Sequence, residues 1–395
     1  MDKPSEPGEE NPGQPAVLTP LDGPYLWRAF RYRSLSRSPG AFREYQLFPR
    51  VELPAVSAVA TPSPEPPLSP AWQQRLAATH TRQFAVLREG RLTGRWTDPS
   101  TLADEPGRLY SVTKSVLSLS IGIALAEGFF PPIDKPVAVT LRGDQMTPRQ
   151  LLRMDSGLSF DEGFASLGHQ SKTYLHPNAR HTALSSRLAD PVSREFHYND
   201  YHSLILGLLL EQSLTQADWQ PSLEASRTLP VVVSWMYEKL LVPLGLRSAG
   251  AFVVDSSHHR FPKTESGLCL NALELASLGQ LVLQGGTWNG AQLVPQVWLA
   301  ESTGKENAWN APEAFRRYRN LAWGPWLSTG RGWYGYHWWG TSYRGSSAVF
   351  AMGIHGQVLL VSPRHRAVVV RLADRWALRE WWPEVLLEAL ETGEL

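Results

Sequence analysis

Ser111-Val112-Thr113-Lys114 sets a hydroxyl and an amine three residues apart, just ahead of a charge-free run from Val116 to Ala126. On a helix, residues three apart share a face, so the two side chains can meet. A helix N-terminus adds partial positive charge and free N–H groups, which favour an alkoxide and the oxyanion that follows acyl attack. For the amine to accept the serine proton it must be neutral, and a buried helix start is expected to desolvate it and lower its pKa. Ser-x-x-Lys also arises by chance as a capping Ser and a surface Lys. The charge-free helix behind it favours the catalytic reading.

A second polar cluster is Phe196-His197-Tyr198-Asn199-Asp200, ahead of an apolar helix that reaches Leu210. Polar groups on a short loop before a buried helix often line a cleft. A Tyr there relays protons if a cation lowers its pKa; the alternative is a ring packed at a loop–helix junction. The third cluster is Gly353-Ile354-His355-Gly356-Gln357, entering a strand. Its glycines let the backbone approach a ligand, so an N–H here could serve as a second oxyanion donor. A β-bulge with an internally bonded His is the other reading. The sequence has no Gly-x-Ser-x-Gly elbow, phosphate-binding glycine loop or zinc-type His/Glu pair on one helix. No cofactor or metal is expected. His258-His259 reads as a polar loop, and Arg316-Arg317-Tyr318-Arg319 as a solvated face.

These groups need a frame. The chain has 395 residues, of which 43% are apolar and 16 are Trp. That is enough for one large lobed unit or two domains around a cleft. Strand patterns lie near both ends: Gln83 to Arg88 and Arg91 to Thr97, joined at Glu89-Gly90, then Tyr334 to Gly340, Ser347 to Gly353, Gln357 to Ser362 and Ala367 to Leu372. Helical patterns fill the middle, at Ser111 to Glu127, from Thr147-Pro148, and at His202 to Gln212, Val231 to Leu241 and Leu270 to Gln284. Trp376 to Leu390 reads as a closing helix. The pattern predicts an α+β fold: an antiparallel sheet built from both chain ends and flanked by helices, with a mostly helical lobe inserted. The expected division is an extended or disordered segment 1–70, a sheet domain from 71–132 and 290–395, and a helical domain 133–289.

Residues 1 to 20 look disordered, Pro54 to Pro70 reads as an extended connector, and Arg28 to Arg43 as an amphipathic segment on the body. Net charge is +1 and Cys269 is the single cysteine. Nothing points to nucleic acid or a membrane, no internal disulfide is possible, and no secretory signal or membrane span is legible. The expected setting is cytoplasmic, with a small molecule as partner; the oligomeric state is not legible.

With these residues in view, Leu109 to Ser115 resembles the nucleophile segment of class C β-lactamase-like serine hydrolases, in the β-lactamase and penicillin-binding-protein superfamily. Thr147 to Leu158 follows at the family's usual distance. Phe196 to Gly207 looks like its Tyr-x-Asn motif. Leu268 to Gly290, Tyr334 to Trp339 and Gly353 to Pro363 also match, so the resemblance spans about residues 80 to 375. The chain looks closest to the branch of 6-aminohexanoate-dimer hydrolases and related esterases.

The resemblance implies a β-lactamase/transpeptidase-like fold and acyl-enzyme hydrolysis of esters or small amides. Ser111 would attack, Lys114 would take its proton, Tyr198 would relay protons to the leaving group, and the N–H groups of Ser111 and Ile354 would form the oxyanion hole. Asp200, His355 and Gly356 would contact substrate. Asp200 stands where the family has Asn. A carboxylate there would accept from a substrate amine or amide, and would also oppose a tyrosinate and help hold Lys114 charged. Two alternatives are a non-catalytic binding protein on the same scaffold, which Asp200 favours, and a true β-lactamase or D-amino peptidase.

Overall fold

The computed structural model describes residues 48–56, 67–161, 168–318, 326–327, 329–375 and 381–395. The segments read as 1–20 and Arg28 to Arg43 lie outside the described residues. So do most of the Pro54 to Pro70 connector, Arg319 and the expected start of the closing helix at Trp376.

A seven-stranded antiparallel sheet dominates. Its strands are β1 (Thr81–Arg88), β2 (Arg91–Thr97), β3 (Gly332–Tyr334), β4 (Trp339–Tyr343), β5 (Ser346–Gly353), β6 (Gln357–Ser362) and β7 (Ala367–Ala373). The spatial order is β3-β4-β5-β6-β7-β1-β2, so strands from both ends of the chain meet where β7 pairs with β1. Glu89 (φ 52°) and Gly90 (φ 76°) close the first hairpin, a two-residue turn that needs positive φ at both positions.

Every residue of β6 and β7 is buried, because helices cover both faces. Val368, Val370 and Leu359 pack with Leu278 and Leu281 of α3 (Ala272–Leu283). Val369, Val358 and Leu360 pack with Trp382 and Leu386 of α4 (Trp382–Thr392) on the opposite face. Arg371 is the charged exception in β7. Its guanidinium bonds to Thr81 Oγ1 at 3.0 Å, Gly356 O at 2.7 Å and Thr79 O at 2.8 Å, and lies over the Trp382 ring.

The expected central helix is α1 (Val112–Ala126), buried from Val112 to Ala124. Two tryptophans seal it: Trp298 donates to Ser118 O at 2.9 Å and Trp235 to Ser120 O at 3.2 Å. Against it lies α2 (Asp200–Gln216), apolar on nearly every side in its first three turns. The helix Pro148–Leu152 starts with Thr147 in a capping box with Gln150.

Two sequence expectations are corrected. Val231 to Leu241 is not one regular helix: it is α-helical over Val231–Met236 and widens into a π-turn over Tyr237–Leu241. Pro243 follows, cannot donate to the carbonyl four residues back, and crowds it with its ring. Tyr334 to Gly340 is not a single strand either. It turns between β3 and β4, with Gly335 N donating to Trp338 O at 2.9 Å and His337 at φ 61°.

A four-stranded sheet of Arg50–Leu53, Gly250–Val253, Leu268–Leu270 and Gly107–Arg108 anchors the segment before α1. Leu109 N donates to Leu268 O at 2.9 Å, and Thr113 Oγ1 accepts from Leu268 N at 3.1 Å. The start of α1 is therefore held from outside the helix. Among the described residues no helix is long and apolar enough to cross a membrane.

Candidate active site

Ser111 is the N-cap of α1, and its own side chain makes no cap bond to the helix. Its hydroxyl is left for other partners. Tyr110, one residue earlier, has φ 48°, a left-handed conformation that turns the chain sharply into the helix.

One helical turn on, Lys114 is buried, with 1% of its surface exposed. Its Nζ donates to Ser111 Oγ at 3.0 Å, Asp200 Oδ1 at 2.7 Å and the Glu265 carbonyl at 2.8 Å. The expectation of an uncharged lysine is reversed here. Burial does pull the amine down, as anticipated, but the Asp200 carboxylate, with help from Glu265, outweighs it and raises the pKa above its ordinary value. Lys114 rests as an ammonium in an ion pair with Asp200.

Tyr198 comes from the loop before α2, and its phenol stands beside Ser111 and Lys114, both of which pull its pKa down. The ring stacks on Trp339 with centroids 5.7 Å apart, and Lys114 Nζ lies 5.1 Å from its centre. Its backbone N–H donates to the Tyr318 hydroxyl at 2.7 Å. Burial raises the phenol's pKa and wins over the neighbouring ammonium, so Tyr198 is neutral. The loop-junction reading holds, and the packed ring stands beside Lys114.

Asp200 opens α2, and Asn199 caps that helix by accepting from Tyr201 N at 2.8 Å. The second carboxylate oxygen of Asp200 lies 3.3 Å from Thr173 Oγ1, whose hydroxyl also has the Gln170 carbonyl at 2.9 Å. The carboxylate charge is opposed directly by Lys114, at 2.7 Å from Oδ1.

The third cluster divides. A Cβ built on Gly353, the last residue of β5, would fall 2.3 Å from Leu109 O and 3.2 Å from Tyr110 Cβ, so β5 ends directly on the turn that carries Ser111. Ile354 follows with 41% of its surface exposed. His355 takes φ 65° and lies 5.1 Å from the Tyr110 ring, centroid to centroid. Gly356 is buried, and its carbonyl accepts from Arg371 at 2.7 Å.

Four groups escaped the sequence reading. Glu265 supplies the third acceptor for Lys114, and its carboxylate lies 3.4 Å from the buried Lys263. Thr173 places its hydroxyl 3.3 Å from Asp200. Tyr318, read as part of a solvated face, is buried and fixes the Tyr198 backbone. His337 backs Lys114: its carbonyl accepts from Ser115 Oγ at 2.6 Å, and its ring Nδ1 lies 3.3 Å from Lys114 O. Burial and the nearby ammonium push the His337 imidazole down to about 3. Two charges in the short run Lys263-Thr264-Glu265-Ser266, between apolar flanks, were the available signal for Glu265.

This arrangement offers a hydroxyl nucleophile at a helix start, an ammonium on its oxygen, a neutral phenol beside the pair, and a backbone strand end close by. Those are the parts of acyl transfer.

The chain is similar to known proteins over most of its length. The family model described as Beta-lactamase matches residues 73–380. The 6-aminohexanoate-dimer hydrolase of Paenarthrobacter ureafaciens is 24% identical over 392 residues, covering 94% of this chain and 89% of that protein. A Bacillus anthracis structure assigned as a 6-aminohexanoate-dimer hydrolase superposes with a TM-score of 0.66 at 17% identity, covering 99% of this chain and 97% of the other. A D-stereospecific amidohydrolase from Streptomyces sp. gives a TM-score of 0.57 at 16% identity, covering 81% and 97%.

Proposed function

The chain belongs to the Beta-lactamase family, and from that premise we propose that it is a serine hydrolase cleaving esters or small amides through an acyl-enzyme on Ser111. One observation carries the reading: Lys114 Nζ bonds to Ser111 Oγ at 3.0 Å at the start of a buried helix, with the Tyr198 ring 5.1 Å from the same nitrogen. Ser111 Oγ attacks the carbonyl carbon. The N–H groups of Ser111 and Ile354 receive the developing oxyanion, and Tyr198 gives its proton to the leaving group. Water then repeats the sequence on the acyl-enzyme.

Two features bear on substrate class. The third cluster reads Gly-Ile-His-Gly and carries no lysine to meet a substrate carboxylate. Asp200 has its charge opposed by Lys114. A linear ester or amide without a carboxylate beside the scissile bond suits this site better than a penicillin-like acid. The names of the 6-aminohexanoate-dimer hydrolase and the D-stereospecific amidohydrolase support amide cleavage.

The test is covalent labelling by a fluorophosphonate with turnover of p-nitrophenyl esters and nitrocefin. The expected result is a labelled wild type that favours the esters, and an unlabelled, inactive Ser111→Ala. A folded wild type that neither labels nor turns over would make the chain a binding protein on this scaffold, the reading that a charged Lys114 favours. Preferential nitrocefin turnover would make it a β-lactamase.

A further inference from the structure

The resting charge of Lys114 sets a chemical problem for the proposed hydrolase. An ammonium has three N–H bonds and no lone pair. All three here have acceptors: Ser111 Oγ, Asp200 Oδ1 and Glu265 O. In that state the lysine donates to the serine and has nowhere to put the serine's proton. It must first release one of its own.

The surroundings leave one outlet. On its own helix Lys114 faces Ser111. From the loop before α2 comes Tyr198, a neutral phenol. From α2 come Asp200 and His202, the latter pushed well below its ordinary range by burial. From the turn between β3 and β4 comes the neutral His337. Glu265 presents its carbonyl to Lys114, while its carboxylate lies 3.4 Å from Lys263 and accepts from Ser266 Oγ at 3.0 Å. Asp200 touches Nζ directly, at 2.7 Å, with a side-chain exposure of 13%.

Resting on the hydrolase reading, we propose that Asp200 is the proton acceptor of the acylation step, acting through Lys114. As Ser111 Oγ bonds to the carbonyl carbon, the π pair moves to the carbonyl oxygen. The serine proton passes to Nζ as Nζ passes one to Asp200 Oδ1. On collapse the bond to the leaving group breaks, and that group takes the Tyr198 proton. Lys114 reprotonates Tyr198, and Asp200 returns its proton to Lys114. Charge and protons balance over the cycle.

A bound substrate favours the transfer. Displacing water raises the cost of the Lys114–Asp200 ion pair relative to its neutral form, amine plus carboxylic acid. The family's Asn could not take this proton, so the aspartate changes which protonation state of the site is active. Asp200 acts on the proton through Lys114 and is a positioning residue.

The test compares wild type, Asp200→Asn and Asp200→Glu over pH, reading kcat/KM for p-nitrophenyl acetate and the rate of Ser111 labelling by a fluorophosphonate. A 15N NMR titration of lysine Nζ runs beside them. Wild type is expected to keep an ammonium signal for Lys114 while working at neutral pH without needing alkali. Asp200→Asn is expected to titrate its amine at lower pH, and its rate to rise about tenfold per pH unit below that titration. Asp200→Glu restores part of the neutral-pH rate.

The proposal is overturned if the wild-type rate climbs with pH in step with its own ammonium and Asp200→Asn is faster near neutrality. In that case the aspartate would only hold the base protonated. It is also overturned if the Nζ titration is unmoved in Asp200→Asn. If Ser111 never labels in any variant while the titration moves as expected, the hydrolase reading falls and the charge coupling of Lys114 to Asp200 stands alone.

Discussion

Leu109 O lies 2.3 Å from where a Cβ on Gly353 would sit. The strand end that carries Ile354 therefore rests on the turn that carries Ser111, and only a glycine allows that approach. Gly353→Ala must push the two backbones apart. Overpacking of this kind costs about 1–3 kcal/mol. If Ile354 N–H is an oxyanion donor, displacing it lowers kcat by about a hundredfold, with KM changed less. Steady-state kinetics and urea unfolding check both halves, and loss of stability at unchanged kcat would remove Ile354 from the oxyanion site.

Tyr198→Phe keeps the ring on Trp339 and under Lys114 and removes the hydroxyl proposed to protonate the leaving group. The expected effect is a fall in kcat of about 10²–10⁴-fold, the usual range for a proton-transfer group. Melting temperature should change little. A variant with near wild-type turnover would confine Tyr198 to packing.

His337 is 2% exposed and its imidazole is pushed down to about 3. The folded protein keeps it neutral, while the unfolded chain protonates near 6.5. Its contribution to stability is therefore complete above 6.5 and is lost as pH falls from there towards about 3. At pH 5 the loss is about 2 kcal/mol. Chemical denaturation at pH 7 and pH 5 should show that loss in wild type and less of it in His337→Asn, because Asn tolerates the left-handed backbone here.

Asp155 has the opposite sign. Burial raises its pKa to about 6, against the pull of Arg153, Trp309 and Arg194. The folded state then holds a proton that the unfolded chain has already released, so this group favours the fold increasingly as pH falls through 6. The gain at pH 5 over pH 7 is about 1 kcal/mol. Asp155→Asn should lose it and show a steeper drop in stability between those two pH values. An unchanged slope would mean that the carboxyl is ionised throughout.

Much of the frame was legible because it is written locally. The charge-free run behind Ser111, the Glu89-Gly90 turn and Thr147-Pro148 each act within a few residues, and α1, the first hairpin and the capped helix appear where expected. The π-turn before Pro243 and the turn at His337 were missed: the first depends on a clash across a helical turn, the second on pairing between strands. Tyr318 was misplaced because Arg316 and Arg317 gave its segment a solvated look, yet Arg316 pairs with Glu195 at the surface while Tyr318 turns inward.

The sequence by itself determined which groups meet at the nucleophile's helix, since a three-residue spacing fixes the hydroxyl and the amine on one face. Only the tertiary structure decided their charge. Asp200 and Glu265 lie 86 and 151 residues beyond Lys114 in the chain, yet both touch its nitrogen. The protonation of a buried amine depends on whether an anion reaches it within hydrogen-bond distance, and no spacing along the chain carries that distance.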